Sequence, residues 1–195
     1  MSDPNPTNKI KFGLKKVYIA KQTETAGVYT YVTPVALPGA VSLSLEAQGD
    51  DTPFYADDCV YYRSNNNNGY SGTLEVAYIP DWFREDILGE DADAKDVLFE
   101  KADGSDKNYF AMLFEFDGDQ HQVRHVMYNC SASRPAVASN TKENSVSPIT
   151  ETLNITCDPR LDGLVKGRTT ADTDSTVYNG WYGTVYVPTA APGTP

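Results

Sequence analysis

The two histidines and three cysteines are the residues whose chemistry most often marks a metal site or a nucleophile. His121 and His125 stand four residues apart, with Cys130 close behind them, so both histidines share one face if the segment is a strand. The ligand spacings of structural zinc sites are absent, and we expect surface or interface histidines rather than a metal site. A cysteine nucleophile paired with a histidine stays open. Cys157, however, lies on an apolar strand face typical of a core thiol, and Cys130 is a second candidate for the core.

Carboxylates are numerous, but no motif singles any of them out. Asp117-Gly-Asp119 and Asp172-Thr-Asp174 share only the first residues of a calcium loop and lack its later Gly and Glu, so we assign both to turns. The sequence has no Gly-rich phosphate loop, no G-x-S-x-G elbow and no zinc-protease motif. A glycosidase carboxylate pair cannot be recognised among so many acids. We therefore expect no enzymatic activity and no cofactor.

The balance of charge argues against binding to nucleic acid or to membranes. The chain of 195 residues holds 16 Lys and Arg against 27 Asp and Glu, a net charge of −11, which repels phosphate and anionic lipid surfaces. Its 40% apolar residues suffice for the core of one domain. Three widely spaced cysteines favour reduced thiols, the start lacks the features of a signal peptide, and no apolar run could span a bilayer. We expect a soluble protein made inside a cell.

Strands must position these residues, because a period of two dominates the sequence. Apolar and polar side chains alternate in Val41–Ala47, Thr73–Ile79 and Thr152–Cys157, as in strands with one face on a core and one in solvent. Further strands are expected at Gly13–Lys21, Asn108–Phe116, Gln122–Ala132 and Thr176–Val187. The Asp-Gly within residues 116–119 predicts a tight hairpin with a positive φ between two of them.

One segment breaks this pattern and predicts a short helix. Pro80 begins it, acidic residues occupy its first turns, Ile87 and Leu88 share a side with an aromatic residue, and Gly89 ends it. Several strands with one short helix predict a mainly β domain, a β-sandwich or barrel. We expect that domain at residues 9–187, between a flexible N-terminus at 1–8 and a flexible, Pro-rich C-terminus at 188–195.

A long connection follows the first alternating strand. Residues 48–70 form a stretch too long for a hairpin loop, and connections of this length tend to be functional or mobile. The stretch holds the polar run Ser64–Gly69, which we expect at its tip. Before that run come five aromatic or basic side chains: Phe54, Tyr55, Tyr61, Tyr62 and Arg63. Aromatic residues in a long connection have no obvious place in a single small core.

Charge is distributed unevenly along the chain. Residues 9–21 carry five lysines and no acid, whereas residues 81–106 carry ten acids and three basic residues. Each block is explained by a solvated surface. The alternative, if the protein assembles, is that the basic end of one subunit meets the acidic block of the next.

Nine fragments, taken in order, carry a resemblance to a known family. They are Val35–Ala47, Thr52–Asp57, Asn68–Glu75, Ile79–Phe83, Asp86–Gly89, Phe114–Asp119, His125–Cys130, Glu151–Thr156 and Thr176–Tyr182. The chain resembles the major tail protein family of siphophages that infect Gram-positive bacteria. The fragments are specific together rather than singly.

The resemblance implies a tail-tube fold, a β-sandwich with a flanking helix and a long inter-strand loop. Proteins of this family assemble as hexameric rings stacked into a tube for double-stranded DNA, which passes through without specific binding. The implied partners are further copies of the chain, a tape-measure protein, a tail terminator and distal tail proteins. The implied location is the tail of a virion assembled in the host cytoplasm. Some relatives carry an additional immunoglobulin-like domain, which we do not expect here.

The resemblance also implies roles for two sets of residues. The long loop of this fold reaches the neighbouring ring, and it corresponds here to residues 48–70, so Phe54, Tyr55, Tyr61, Tyr62 and Arg63 are candidate inter-ring contacts. The polar faces of three strands are candidates for the channel wall: Ser42, Ser44, Glu46, Thr73, Glu75, Thr152, Asn154 and Thr156. These faces hold two acids and no Lys or Arg, whereas a basic wall would hold the phosphates of the DNA. An ordinary solvated sheet face is the alternative.

Two other functions stay open at this point. A related tube in a bacterial secretion particle or a phage-tail-like killing particle fits the same residues, and the neighbouring genes would separate it. A soluble β-sandwich module that binds a ligand such as a carbohydrate would use the Tyr-rich loop as its binding surface. That module would be a monomer whose melting temperature responds to the ligand.

Overall fold

One large antiparallel sheet dominates the computed structural model, which describes residues 8–102, 108–139, 141 and 149–188. The strands of these residues are β1 Lys11–Thr25, β2 Val28–Tyr31, β3 Val35–Ala36, β4 Ala40–Ala47, β5 Asp51–Ala56, β6 Cys59–Asn65, β7 Tyr70–Val76, β8 Asp91–Ala92, β9 Leu98–Phe99, β10 Phe110–Gly118, β11 Val123–Ala132, β12 Glu151–Cys157 and β13 Lys166–Arg168. The sheet has the order β2-β1-β10-β11-β12-β7-β4, with β13 beside β11 and β3 beside β1. β5–β6 and β8–β9 form separate hairpins.

The sheet rolls up until two of its distant strands meet. β1 and β4 contact each other, and the chain crosses between them: the Leu37 N–H donates to the Val17 carbonyl and the Ala77 N–H donates to the Gly39 carbonyl, both at 2.8 Å. Apolar residues from six strands fill the interior, among them Ile19, Leu74 and Leu153. The mainly β fold predicted from the period of two is confirmed, in the form of a rolled, barrel-like sheet.

A short helix closes one end of this barrel, as the sequence predicts. It is α-helical at Asp81–Phe83 and widens into a π-helical turn at Arg84–Leu88; we call both together α1. Gly89 follows with a φ of 74°, the left-handed conformation that ends many helices. Phe83 and Ile87 are buried in the barrel core, so the apolar side of α1 is its contact with the sheet.

The central strand β10 is buried on both of its faces. Phe110, Met112 and Phe114 point into the barrel, while Ala111 and Leu113 belong to a second apolar cluster on the outside. The C-terminal segment covers this outer cluster with Trp181, whose side chain is 3% exposed. The two clusters make the strands around β10 the most enclosed part of the molecule.

That covering segment corrects one sequence prediction. Residues 176–187 do not form a strand: Ser175–Gly180 is a helix, α2, and an irregular stretch follows it. The Asp174 carboxylate caps the helix by accepting the backbone N–H groups of Thr176 and Val177 at 2.8 and 3.4 Å. Val177 in the helix and Trp181 directly after it pack against the sheet, and their separation of four residues is a helical spacing. Val185 of the irregular stretch packs against the same cluster.

A buried carboxylate anchors the same segment to the sheet. Glu115 on β10 is 1% exposed and accepts from the Lys16 ammonium at 3.1 Å, the Arg124 guanidinium at 3.3 Å and the Tyr182 hydroxyl at 3.0 Å. Arg124 also stacks 3.8 Å from the Tyr178 ring centroid and donates to the Tyr178 carbonyl. Burial, and next the charge of Glu115, raise the pKa of the Tyr182 hydroxyl, so this hydroxyl stays a donor. A buried charge needs this number of partners.

The turn between β10 and β11 differs from the expected Asp-Gly hairpin. Gly118 is the last residue of β10 and is not among the glycines with positive φ, so the predicted reason for this glycine is wrong. A Cβ atom at Gly118 would lie 2.0 Å from Asn8 Nδ2, so the glycine makes room for that side chain. Asn8 donates to the His121 carbonyl at 2.7 Å and accepts the Gln120 N–H at 2.8 Å. Residues 1–7 and 189–195 of the predicted flexible termini lie outside the described residues.

The outer cluster gives a test of the C-terminal cover. Replacing Trp181 with Ala should lower the free energy of unfolding by about 3–5 kcal/mol, because it removes a fully packed indole. Val187→Ala, at a position that is 38% exposed, is the matched control and should change it by less than about 0.5 kcal/mol. Urea denaturation measures both values. Equal stability of Trp181→Ala and the parent would show that the segment is not part of the folded core.

Candidate assembly surfaces

The long connection between β4 and β7 is itself a β-hairpin rather than an irregular loop. β5 and β6 pair from Asp51↔Asn65 to Ala56↔Cys59, and the two turn residues Asp57 and Asp58 have φ angles of 50° and 59°, as a tight hairpin turn requires. We call residues 48–70 the arm. The predicted polar tip at Ser64–Gly69 is wrong, because this run leads back to the root of the arm and Asp57 and Asp58 form its tip.

The arm exposes its aromatic side chains on both faces. Phe54 and Tyr62 are directly opposite each other in the register, Tyr55 is opposite Val60, and Tyr61 falls in the bulge between these pairs. Phe54, Tyr55, Tyr61 and Tyr62 are 60%, 65%, 73% and 63% exposed. Arg63, the fifth predicted contact residue, is also exposed and lies opposite Pro53. The structure thus brings all five together on one projecting ribbon.

Two glycines shape the root of the arm. Gly49 has a φ of 155°, and a Cβ atom there would lie 1.9 Å from the Asn66 carbonyl oxygen; Gly69 has a φ of 93°, and its Cβ would lie 2.0 Å from the Cys157 carbonyl oxygen. The Gln48 N–H donates to the Gly69 carbonyl and the Asn68 N–H to the Gln48 carbonyl, both at 2.9 Å. The close approach that glycine allows lets the arm leave the sheet without a break in the β4–β7 ladder.

The eight residues predicted to line a channel lie on one face of three neighbouring strands. The registers of β4, β7 and β12 align them in three rows: Ser42–Glu75–Thr152, Ser44–Thr73–Asn154 and Glu46–Ser71–Thr156. Ser71 completes the last row, although the sequence prediction did not include it. We call these nine residues the polar face; none of them is buried and none is basic. The interior of the barrel lies behind them.

The charge on the polar face is held in place by neighbouring hydroxyls. The Thr150 hydroxyl donates to one oxygen of Glu75, and the Ser42 hydroxyl donates to the other at 2.9 Å. These hydrogen bonds, that of Thr150 first, hold the pKa of the Glu75 carboxyl below its ordinary value. Glu75 is therefore ionised at neutral pH, and the polar face carries fixed negative charge.

The lysine-rich start is largely neutralised within the chain. Lys15 pairs with Asp117 at 2.6 Å, Lys16 with Glu115 at 3.1 Å and Lys21 with Asp86 at 3.3 Å. These ion pairs neutralise part of the positive charge of residues 9–21. Less of that charge is therefore left to bind the acidic block of another subunit. Lys9 and Lys11 are the two lysines of this block left without an ion pair among the described residues.

Lys9 and Lys11 line a cleft at the end of the barrel. The cleft encloses about 300 Å³, and its walls also hold Phe116, His125 and Arg168. His125 stacks on Phe114 with ring centroids 5.1 Å apart and planes within 4° of parallel. Burial, and next the charges of Arg168, Lys11 and Lys166, lower the pKa of His125 to about 4. We call this site the cationic cleft; its charge at neutral pH comes from Lys9, Lys11 and Arg168.

The other residues considered for chemistry do not converge. His121 lies in the turn before β11, whereas His125 lies on that strand and stacks on Phe114. Cys130 and Cys157 face each other across β11 and β12 with sulfurs 2.9 Å apart, and both are fully buried, as expected of core thiols. Within the described residues no group of three or more His, Cys, Asp or Glu could hold a metal ion. The helices of this part of the chain are also too short or too polar to cross a membrane.

Comparisons with known proteins add little to this geometry. No protein-family model matches the chain, and no curated protein matches it. Among solved structures the chain is similar to one described as the anti-feeding prophage cap (AFP tube terminating cap), with a TM-score of 0.46 and 10% identity over 87% of this chain and 99% of that chain. A likeness this low carries no inference about function, since even a shared fold hosts many functions.

The stacked histidine of the cationic cleft predicts a pH dependence of stability. The pKa of His125 is lowered from 6.5 to about 4 in the folded chain, so the unfolded chain takes up a proton first as the pH falls. The contribution of His125 to the free energy of unfolding is complete above pH 6.5. As the pH falls towards 4, roughly 2–3 kcal/mol of it is lost. His125→Phe keeps the stacking and should reduce the decline measured by urea denaturation across this range. His121→Gln should leave it unchanged, and an unaltered decline in His125→Phe would contradict the assignment.

Proposed function

We propose that the chain is the major tail tube protein of a long, non-contractile phage tail and has no enzymatic activity. In this proposal the protein forms stacked hexameric rings that enclose a channel for double-stranded DNA during ejection. The observation that carries the proposal is the arm, with four strongly exposed aromatic side chains on both faces of a two-stranded ribbon. The resemblance to tail proteins supplies the kind of assembly in which such an arm has a role.

The arm has the properties of a segment that completes its packing in another subunit. An isolated two-stranded hairpin is only marginally stable in water. Exposed aromatic clusters of this kind mark interaction surfaces, and aromatic side chains dominate interface energies. The barrel core does not include Phe54, Tyr55, Tyr61 or Tyr62. A neighbouring copy that covered both faces of the ribbon would bury them.

The polar face has the properties required of a channel wall. A wall that carried Lys or Arg would bind DNA phosphates by releasing counterions. The polar face offers hydroxyl and amide groups and the two carboxylates Glu46 and Glu75, of which Glu75 is held ionised. Six copies arranged with this face inward would repel DNA and let it slide. The tape-measure, terminator and distal tail partners of the proposal rest on the family resemblance.

The arm does not favour a carbohydrate-binding module. A ligand site gathers its aromatic side chains into one concave surface. Here the cross-strand pairs Phe54–Tyr62 and Tyr55–Val60 occupy opposite faces of the ribbon, so their aromatic side chains do not converge on one ligand. Such an arrangement suits a segment inserted between protein surfaces.

The first test concerns assembly through the arm. Concentrated protein supplied with tail initiators should form tubes visible by electron microscopy. A variant with residues 49–67 replaced by Asn-Gly should not form them, because the inter-ring contact is gone. Its monomer should stay folded, with an unfolding free energy within about 2 kcal/mol of the parent, since loop length changes closure entropy slowly.

Cys59 gives this test an internal control. It is exposed on the arm, whereas Cys130 and Cys157 are buried. A maleimide should label Cys59 in the monomer and be excluded from it in the tube, while the buried pair stays unlabelled in both. Tubes built by the shortened variant would contradict the assigned role of the arm, and a parent protein that stays monomeric with initiators present would contradict the proposed function.

The second test concerns the channel wall. Phage carrying Glu46→Lys, alone or with Glu75→Lys, should eject DNA more slowly at low salt, because each ring then offers counterion-releasing contacts to the DNA. Glu46→Lys alone is the cleaner variant, since Glu75 also binds Ser42 and Thr150. Phage carrying Glu24→Lys, the same charge change on β1, should eject normally. Normal tails with an unchanged ejection rate in the double variant would show that the polar face does not line the DNA path.

A further inference from the structure

The two ends of the barrel differ in charge. Lys11 lies opposite Gly118 at one end of the β1–β10 pair, and Lys21 lies opposite Phe110 at the other. The cationic cleft is at the first end, because it contains Lys11 and Phe116. Lys21 pairs with Asp86 of α1, which places this helix at the second end. The fold thus places Lys9 and Lys11 at one end of the β1–β10 pair and the acidic residues of α1 at the other.

Among the described residues, the cationic cleft has no acidic ion-pair partner. None of the residues that line it is acidic, and Lys9, Lys11 and Arg168 form no ion pair with the described residues. Nearby carboxylates are already engaged: Asp119 accepts the backbone N–H of Lys9 at 2.8 Å, and Asp117 pairs with Lys15 at 2.6 Å. The Lys11 ammonium lies 5.2 Å from the centroid of the Phe116 ring. Cations beside an apolar floor suit an acidic segment that also has apolar side chains.

The opposite end presents a segment of that chemistry. The β8–β9 hairpin projects Asp93 and Asp96 in its turn, and Val97 and Phe99 beside them are 49% and 48% exposed. Among the described residues, Asp93 accepts the backbone N–H groups of Lys95 and Val97. The Glu100–Arg134 ion pair of 2.8 Å ties the hairpin to the chain just beyond β11, at the end of β11 remote from His125. We call Glu85 of α1, Asp93 and Asp96 the acidic end.

We propose that the acidic end of one copy docks against the cationic cleft of the next, joining the copies head to tail along the barrel. This inference rests on the proposed function for the identity of the assembly and names the contact that gives it direction. A contact between two different surfaces of the same protein does not form a closed symmetric dimer. It repeats from one copy to the next. Complementary charge at such a contact mainly guides approach and fixes register.

Charge reversal at each end tests the contact by sedimentation velocity of concentrated protein at low salt. Lys9→Glu/Lys11→Glu should weaken self-association by about tenfold or more, and Glu85→Lys/Asp96→Lys should do the same. The variant with all four changes should recover, since every contact then pairs the reversed charges. Asp96 has a φ of 59°, so Asp96→Asn, which tolerates that conformation, is a second variant that should weaken association without backbone strain.

The arm tip supplies the discriminating control. A variant that combines Asp57→Lys/Asp58→Lys with the reversed cleft should not recover association. Recovery in this variant would overturn the proposal, because it would show that the arm tip binds in the cationic cleft. A parent that does not self-associate at low salt, or a reversed cleft without effect, would also overturn it. Electron microscopy of the same samples separates the two claims. If the reversed variants still form tubes, this contact is wrong and the proposed function is unaffected. If association is lost in each reversed pair and recovers in the variant with all four changes, but no tubes form, the proposed function is wrong and this contact stands.

Discussion

The rest of the structure depends on burying β10 on both faces. Its sequence from Phe110 to Glu115 is almost continuously apolar, and a strand of that kind cannot lie on a surface. Rolling the sheet covers one face with the barrel core, and the other needs a separate cover, which residues 175–188 supply. Glu115 then has to be buried beneath that cover, and Lys16, Arg124 and Tyr182 satisfy its carboxylate.

The same constraint divides the outside of the barrel into a covered and an open half. The C-terminal segment occupies the outer face of β1, β10 and β11, where the outer apolar cluster lies. The outer face of β4, β7 and β12 needs no cover because its side chains are polar, and it remains as the polar face. The arm grows from two of these three strands. A surface for protein contacts and a bare polar wall are therefore fixed relative to each other by one set of hydrogen-bonded ladders.

The sequence predicts best those elements whose burial is one-sided. Apolar and polar side chains alternate in β4, β7 and β12 because one face of each strand contacts solvent. That period of two placed the candidate channel residues on one face. Their alignment into rows depends on strand register, which needs the partner strands, and Ser71 was missed for that reason. α2 was mistaken for a strand because Val177, Tyr178 and Tyr182 favour strands individually, although the spacing of Val177 and Trp181 is helical. The cationic cleft could not be predicted, because β13 brings Arg168 to Lys9 and Lys11 from far along the chain.

The arm was missed as a hairpin for a related reason. Both of its faces are exposed, so it has no alternation to detect, and its turn is Asp57-Asp58 rather than Asn-Gly. A ribbon with open edges and exposed aromatics would promote uncontrolled pairing between chains. Pro53 within β5 removes one backbone donor from the ribbon, and the two carboxylates at the tip add charge that opposes edge-to-edge contact. These features let the arm stay exposed in a monomer and still pack when a shaped surface covers both of its faces. Its dependence on that surface and the independence of the barrel core follow from one fact: Phe54, Tyr55, Tyr61 and Tyr62 contribute nothing to the core that folds the domain.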